Sequence, residues 1–403
     1  MKILLANSTA YPVIGGVENS LRYIARELVR TGHEVKIFCF QFTSDEPLCM
    51  EYEGVEIIRH PCKAERWPHK QYSSRVAAAQ QGITNLLMDY LPDAIWSRSA
   101  PVGLGIRQAG YDGPLLQIFP TNAWMNCKGT LLQTHGLPVL RRLMLMGLWP
   151  FAYIASRRIE RELSHCCQPV VFSENMRDQL LMGFPANAQK CHVIPPGVDS
   201  EVFSPSNGSR FFDDIEDQYG VSRHEPIVLY VGRLSCAKHL PLLMDAIRTL
   251  KNEVKLLLVG SGPERERLKE YAHDIGLANR IVFAGSHSEM LSGFYAMSRV
   301  CVLPTTIESF GQVYLESLAC GTPVVGFSGD GHRVLTATNE IIRDGETGGA
   351  VREINFSALG EKIGEILSLE RSQYLKMSNK ARVDVRTRFT WGQFTDAALK
   401  LST

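Results

Sequence analysis

Three segments of this chain hold residue types suited to a phosphorylated, hydroxyl-rich ligand. In Tyr11-Pro12-Val13-Ile14-Gly15-Gly16-Val17-Glu18, Gly15 and Gly16 stand between an apolar run and a helical pattern. Glycines there let a backbone approach closely and aim N–H groups at an anion. The spacing is not the GxGxxG of a dinucleotide fingerprint, and no GxxxxGK[ST] occurs, so the pair alone reads equally as a tight turn. In Val231-Gly232-Arg233-Leu234-Ser235-Cys236-Ala237-Lys238, an Arg and a Lys five positions apart can converge on one diphosphate. Arginine offers a planar fork and lysine a point charge. In Glu308-Ser309-Phe310-Gly311-Gln312-Val313-Tyr314-Leu315-Glu316, two carboxylates eight positions apart bracket a loop that becomes a helix. A carboxylate suits sugar or ribose hydroxyls, and the helix start offers N–H groups to phosphate.

These segments need a scaffold of strands and helices, and the patterning predicts one. Met1–Asn7 reads as a buried parallel strand, and Leu21, Ile24, Ala25, Leu28 and Val29 as a helix face. Glu34–Phe40 is the next strand, so the chain opens with a βαβ unit. Val55–Arg59, Ala94–Trp96, Leu115–Phe119 and Val170–Phe172 continue the series. The segment His192–Pro205, with three prolines and Gly197, interrupts it. Strands at Ile227–Val231, Lys255–Val259, Arg280–Phe283, Val300–Pro304 and Thr322–Phe327 then alternate with helical stretches. The expected fold class is α/β, with two doubly wound, Rossmann-like domains facing a cleft and ligands at the strands' C-terminal ends. The predicted division is residues 1–192, a linker at 193–205, a second domain at 206–384 and a tail at 385–403.

Composition excludes several classes. The 403 residues carry 43 Lys+Arg and 42 Asp+Glu, a formal charge of +1 that gives no footing for nucleic acid. Residues 1–190 hold 20 basic and 16 acidic side chains, a mild excess suited to an anionic surface or substrate. Ten cysteines without a CxxC pair form neither a disulfide framework nor a zinc signature. They fit reduced thiols in a cytoplasmic protein. The opening apolar run stops at Asn7, too short for an export signal, and no stretch spans a bilayer. The uncharged stretch Leu143–Ala155, between Arg141-Arg142 and Arg157-Arg158, has two readings. It is a core-facing helix broken near Pro150, or a peripheral membrane contact through 140–158.

Taken together, the motifs come in a specific order. Gly15-Gly16-Val17-Glu18, Gly232-Arg233-Leu234 with Lys238, Gly260-Ser261-Gly262-Pro263 and Glu308 with Glu316 are accompanied by Pro195-Pro196-Gly197-Val198-Asp199 and Asp344-Gly345-Glu346-Thr347-Gly348. Over nearly its whole length the chain resembles the retaining glycosyltransferases of family 4, with GT-B architecture.

The resemblance implies a role for each residue. Gly16, with Gly15, would hold the donor's diphosphate through N–H groups, and Arg233 and Lys238 would neutralise it as the glycosidic bond breaks. Glu308 would contact the transferred sugar and Glu316 the ribose. Backbone groups around Phe310, Gly311, Gln312 and Val313 would add phosphate contacts, and peptide groups at Val282-Phe283 would read the base. The product would keep the donor's anomeric configuration. The departing phosphate would deprotonate the acceptor. No cofactor or metal is implied: Asp-x-Asp is absent, and the Arg–Lys pair takes the cation's place. UDP-N-acetylglucosamine or UDP-glucose is the expected donor, with GDP-mannose also compatible. The acceptor would be a glycan, a lipid-linked glycan or a small metabolite. The family's histidine after the strand at Leu115–Phe119 is missing, and Asn122 is the candidate substitute. Trp124 and His135 are candidates for the acceptor side. Trp391 would anchor a last helix that crosses back to the first domain. Two competing readings are a sugar-nucleotide epimerase of the same fold and a silent sugar-nucleotide-binding protein.

Overall fold

The computed structural model describes residues 1–12, 15–63, 65, 68–123, 139–182, 190–251 and 253–403. Trp124 and His135 therefore lie outside the described residues. The chain divides into two units. Among the described residues, the first comprises those up to Gly197 together with Trp391–Thr403, and the second Val198–Thr390.

The first unit is built on an eight-stranded sheet. Its strands are β1 (Lys2–Ala6), β2 (Glu34–Gln41), β3 (Cys49–Tyr52), β4 (Val55–Pro61), β5 (Ala94–Ser97), β6 (Leu115–Phe119), β7 (Gln168–Val171) and β8 (His192–Val193). The order is β3-β4-β2-β1-β5-β6-β7-β8, all parallel except the β3–β4 pair. The central strands are near-continuous aliphatic runs because both faces are covered. Ile3, Leu4, Leu5 and Ala6 are all within 1% of full burial. Helix Gly16–Arg30 packs Leu21, Ile24, Ala25 and Leu28 inward, as its spacing predicts. β3 was not foreseen, and its alternating, half-exposed pattern is that of an edge hairpin rather than a buried strand.

The second unit holds a six-stranded, all-parallel sheet. Its strands are β9 (Ile227–Val231), β10 (Lys255–Val259), β11 (Ile281–Gly285), β12 (Val300–Leu303), β13 (Val324–Phe327) and β14 (Gly348–Val351), in the order β11-β10-β9-β12-β13-β14. β14 carries glycines where a strand pattern expects branched residues, which hides it in the sequence. Gly348 is required there, since a Cβ would stand 2.0 Å from the Val324 carbonyl oxygen. The Asp344–Gly348 motif is the turn into this strand: Asp344 Oδ1 accepts the Ala350 N–H at 3.0 Å and Thr347 Oγ1 accepts the Arg343 N–H at 3.0 Å.

Two boundaries differ from those expected. β8 pairs with β7, so the first unit runs past residue 192, to Gly197. Helix Arg371–Arg388 stays with the second unit, because Arg343 Nε donates to its buried Asp384 at 2.5 Å and its Arg388 donates through Nη2 to the Glu340 carbonyl. The return to the first unit starts at Trp391 instead of 385. There Trp391 stacks on Tyr23 at 5.9 Å and Phe394 meets Phe172 edge-on at 6.1 Å. Trp96 Nε1 donates to Ser402 Oγ at 2.8 Å, both side chains being buried.

Helix Val139–Cys166 also differs, since it runs through Pro150 without breaking. Proline removes one backbone bond, and here Pro150 lies on the exposed side of the helix.

Candidate functional site

Doubly wound sheets bind ligands where the strand order reverses. In the second unit that point lies between neighbouring β9 and β12. Arg233 and Lys238 follow β9 and Glu308 follows β12, so the topology delivers them to one edge. Lys238 Nζ donates to Glu308 Oε2 at 2.6 Å, both side chains being about three-quarters buried. Arg233 is exposed and is in no ion pair among the described residues. Its position is set from below, because the Tyr230 hydroxyl donates to the Arg233 carbonyl at 2.9 Å.

Both loops are fixed by their neighbours. His239, left-handed at φ 47°, shares a 3.1 Å hydrogen bond with Thr306. Thr305 Oγ1 donates to the Ile307 carbonyl at 2.9 Å, and the Glu308 N–H donates to the Leu335 carbonyl at 2.9 Å. Gly260 and Gly262 are structural. A Cβ at Gly260 would sit 1.9 Å from the Gly232 carbonyl oxygen, and one at Gly262 2.1 Å from that of Leu234. The loop after β10 thus packs directly on the loop that carries Arg233.

Helix Gln312–Ala319 starts just beyond Glu308 and is entered through Gly311 at φ 98°, a left-handed conformation that favours glycine. Gln312 and Val313 open its first turn. The Phe310 ring is buried edge-on against Phe389 at 5.7 Å, so only its backbone is offered to a ligand. Glu316 accepts a 2.7 Å hydrogen bond from the Tyr295 hydroxyl. Burial pushes its carboxyl up to about 7, and the Tyr295 bond opposes that shift only in part. Val282 and Phe283 sit within β11, in register with Leu257 and Leu258. The strand runs on to Gly285, whose carbonyl accepts the Gly260 N–H at 2.7 Å. Gly285 and Ser286 therefore occupy the C-terminal edge where Val282 and Phe283 were expected.

In the first unit the strand order reverses between β1 and β5. Gly15 and Gly16 lie after β1, and Gly16 opens helix Gly16–Arg30 without a side-chain cap. Glu18 folds back over Gly15 and accepts from Thr9 Oγ1 at 2.5 Å. Arg98, following β5, is 4% exposed and donates through Nη1 to the Val17 carbonyl at 3.0 Å and to Ser20 Oγ. Its burial pulls the guanidinium down to about 10, with the Glu18 charge opposing. Asn122, after β6, is also buried. The next residue, Ala123, gives its N–H at 2.5 Å to the buried Glu160, which Arg157 Nη1 also approaches at 3.2 Å. Desolvation raises Glu160 to about 7.

Tyr230, Tyr295, Arg98 and Glu160 were not singled out in the sequence. Tyr230 and Arg98 had a readable signal, a polar group inside or just after an aliphatic strand. Tyr295 and Glu160 had none, because their partners are 21 and 37 positions distant.

Helix Val139–Cys166 has two characters. Its C-terminal part buries Ile159 and Leu163, whereas Leu143, Met146, Phe151 and Ile154 are 61%, 47%, 61% and 63% exposed. At 3.6 residues per turn these four fall on one face, and the exposed Arg158 and Arg161 follow them. No helix among the described residues is long and apolar enough to cross a membrane.

Comparison with known proteins agrees with this arrangement. The family model "Glycosyltransferase Family 4" matches residues 14–202, and "Glycosyl transferases group 1" matches 211–384. The chain is 28% identical to the GDP-mannose-dependent alpha-(1-6)-phosphatidylinositol monomannoside mannosyltransferase of Mycolicibacterium smegmatis, covering 91% of this chain and 89% of the relative. It is 24% identical to the D-inositol 3-phosphate glycosyltransferase of Xylanimonas cellulosilytica, covering 96% and 90%. The structure of sucrose-phosphate synthase from Thermosynechococcus elongatus superposes with a TM-score of 0.79 at 22% identity, covering 99% and 98%.

Proposed function

We propose that this chain, which belongs to the family-4-like glycosyltransferases of GT-B fold, transfers a hexose from a nucleoside diphosphate to an acceptor hydroxyl with retention of configuration. The observation that carries the reading is the Lys238–Glu308 pair, set across the β9–β12 switch point beside Arg233. A lysine held by a carboxylate is pre-oriented, and an arriving diphosphate offers it a stronger partner. Arg233 and Lys238 take up the charge that develops on the leaving phosphate. Glu308, released from Lys238, turns to the sugar hydroxyls, and Glu316 receives the ribose. Gly15 and Gly16 offer N–H groups to phosphate. The bond from the sugar's C1 to the phosphate oxygen breaks, the acceptor oxygen bonds C1 on the same face, and its proton passes to the departing phosphate. Neither a cofactor nor a metal is needed.

The relative that uses GDP-mannose puts that donor on equal footing with the UDP-sugars the sequence suggested. For the acceptor, we propose a phosphorylated polyol or a lipid-linked glycan, reached at the cytoplasmic membrane surface. The relatives' acceptors support this, as does the exposed face Leu143–Met146–Phe151–Ile154 with arginines beyond it.

The test is nucleotide release from a panel of UDP-, GDP-, ADP- and dTDP-sugars, with inositol phosphate or a phosphatidylinositol glycolipid as acceptor. Release of one nucleotide together with a glycosylated product is expected. Sugar conversion without nucleotide release, or binding without turnover, would replace this reading by the epimerase or the silent binder.

A further inference from the structure

We propose that Arg98 is the positioning residue of a phosphate-binding turn in the first unit, fixing Gly15–Val17 from beneath and supplying positive charge to it. The inference rests on the reading of Gly15 and Gly16 as phosphate ligands. It is carried by a buried cation that holds the turn through neutral oxygens and leaves one of its own donors unpaired. Arg98 Nη1 bonds two neutral oxygens, the Val17 carbonyl at 3.0 Å and Ser20 Oγ, and its Nε is buried with no partner among the described residues. Ser20 Oγ in turn donates to the Gly16 carbonyl at 2.7 Å, so the network reaches the glycine itself. The guanidinium also lies 5.2 Å from the centre of the Phe172 ring, at the end of β7.

A buried cation normally sits against a carboxylate. Here the nearby carboxylate is Glu18, which makes no hydrogen bond to Arg98: its Oε1 accepts from Thr9 and its Oε2 lies over Gly15. The cation lies under the positive end of a 15-residue helix, so two positive ends are brought together. A phosphate above Gly16 adds to the single charge of Glu18, since it meets the N–H groups of the first turn and further balances the charge below. Arg98 does not touch the ligand; it acts through the turn. Two sources of phosphate fit, the donor nucleotide and a phosphorylated acceptor.

The experiment is calorimetric titration of the full chain with UDP, GDP, the matching nucleosides and inositol phosphate, for wild type, Arg98→Met, Arg98→Lys and Gly16→Val. Arg98→Met is expected to weaken a phosphate-bearing ligand tenfold or more and leave its nucleoside unchanged, with Arg98→Lys recovering part of the loss. The ligand that responds, nucleotide or inositol phosphate, identifies the owner of the phosphate. Equal weakening of nucleotide and nucleoside, or no weakening in a folded Arg98→Met, overturns the inference. Should Arg98→Met not fold, Ser20→Ala must weaken the same ligand at least threefold, and an unchanged affinity overturns it equally. Gly16→Val separates the two layers, because a Cβ there meets nothing within 4 Å among the described residues. If Gly16→Val weakens phosphate ligands and Arg98→Met does not, only Arg98 is wrong. If Gly16→Val has no effect, the reading of the turn itself fails.

Discussion

Lys238 Nζ lies 2.6 Å from Glu308 Oε2, and the two belong to loops at the ends of adjacent strands, 70 positions apart in the chain. Each holds the other in place, and in the proposed function a ligand with more charge and more hydroxyls replaces both partners. Lys238→Ala should lower kcat by about 10²-fold or more, since it removes a charge contact that strengthens in the transition state. Steady-state kinetics checks this, and an unchanged kcat rules the assignment out.

The carboxyl of Glu316 should make stability depend on pH. Its folded value of about 7 lies above the ordinary 4.5, so the native chain binds this proton more tightly than the unfolded one. That contribution is complete below the ordinary value and is lost as pH rises through the folded one. The melting temperature of wild type, taken relative to Glu316→Gln, should therefore fall from about pH 5 to about pH 8. Glu160 titrates in the same direction but is present in both proteins, so it cancels in the difference. A difference that stays flat with pH contradicts the assignment.

Gly260 should tolerate no side chain. At φ 145°, and with a Cβ 1.9 Å from the Gly232 carbonyl oxygen, Gly260→Ala forces apart the loops after β9 and β10. A loss of about 2 kcal/mol or more is expected in urea denaturation, with activity falling because Arg233 moves.

The exposed face of helix Val139–Cys166 should carry membrane affinity. Phe151→Asp and Ile154→Asp each place a charge where lipid contact is proposed, at side chains 61% and 63% exposed, and should leave folding intact. Co-sedimentation with anionic phospholipid vesicles should drop severalfold. Binding that survives both substitutions excludes this face.

Turnover should persist in EDTA, because Arg233 and Lys238 are assigned the charge that a divalent cation would otherwise neutralise. Activity abolished by EDTA and restored by Mg²⁺ would refute that assignment.

How much of this was legible in advance depended on the range of each interaction. Aliphatic runs such as Lys2–Ala6 and Ile227–Val231 announce buried parallel strands, because burial on both faces demands apolar residues throughout. Helix Gly16–Arg30 is announced by its period, and the local order of Gly15, Arg233, Lys238, Glu308 and Glu316 supplies the candidates on which the proposed chemistry rests. β3 and β14 escaped, the first because an edge strand alternates, the second because Gly348 is dictated by a neighbouring backbone.

The sequence by itself thus determined the α/β class and the two wound series, and it named the candidates for the charge and hydroxyl contacts. Only the tertiary structure decided that Lys238 pairs with Glu308, that Gly260 and Gly262 serve packing, and that Trp391 rather than residue 385 starts the return to the first unit. It also decided that Arg98 lies buried beneath Val17, and that Glu160 and Glu316 are raised to about 7. The physical reason is common to all of these. Periodicity and turn chemistry act within a few residues along the chain, whereas desolvation and hydrogen-bond partnership depend on which distant segments the folded sheets bring together.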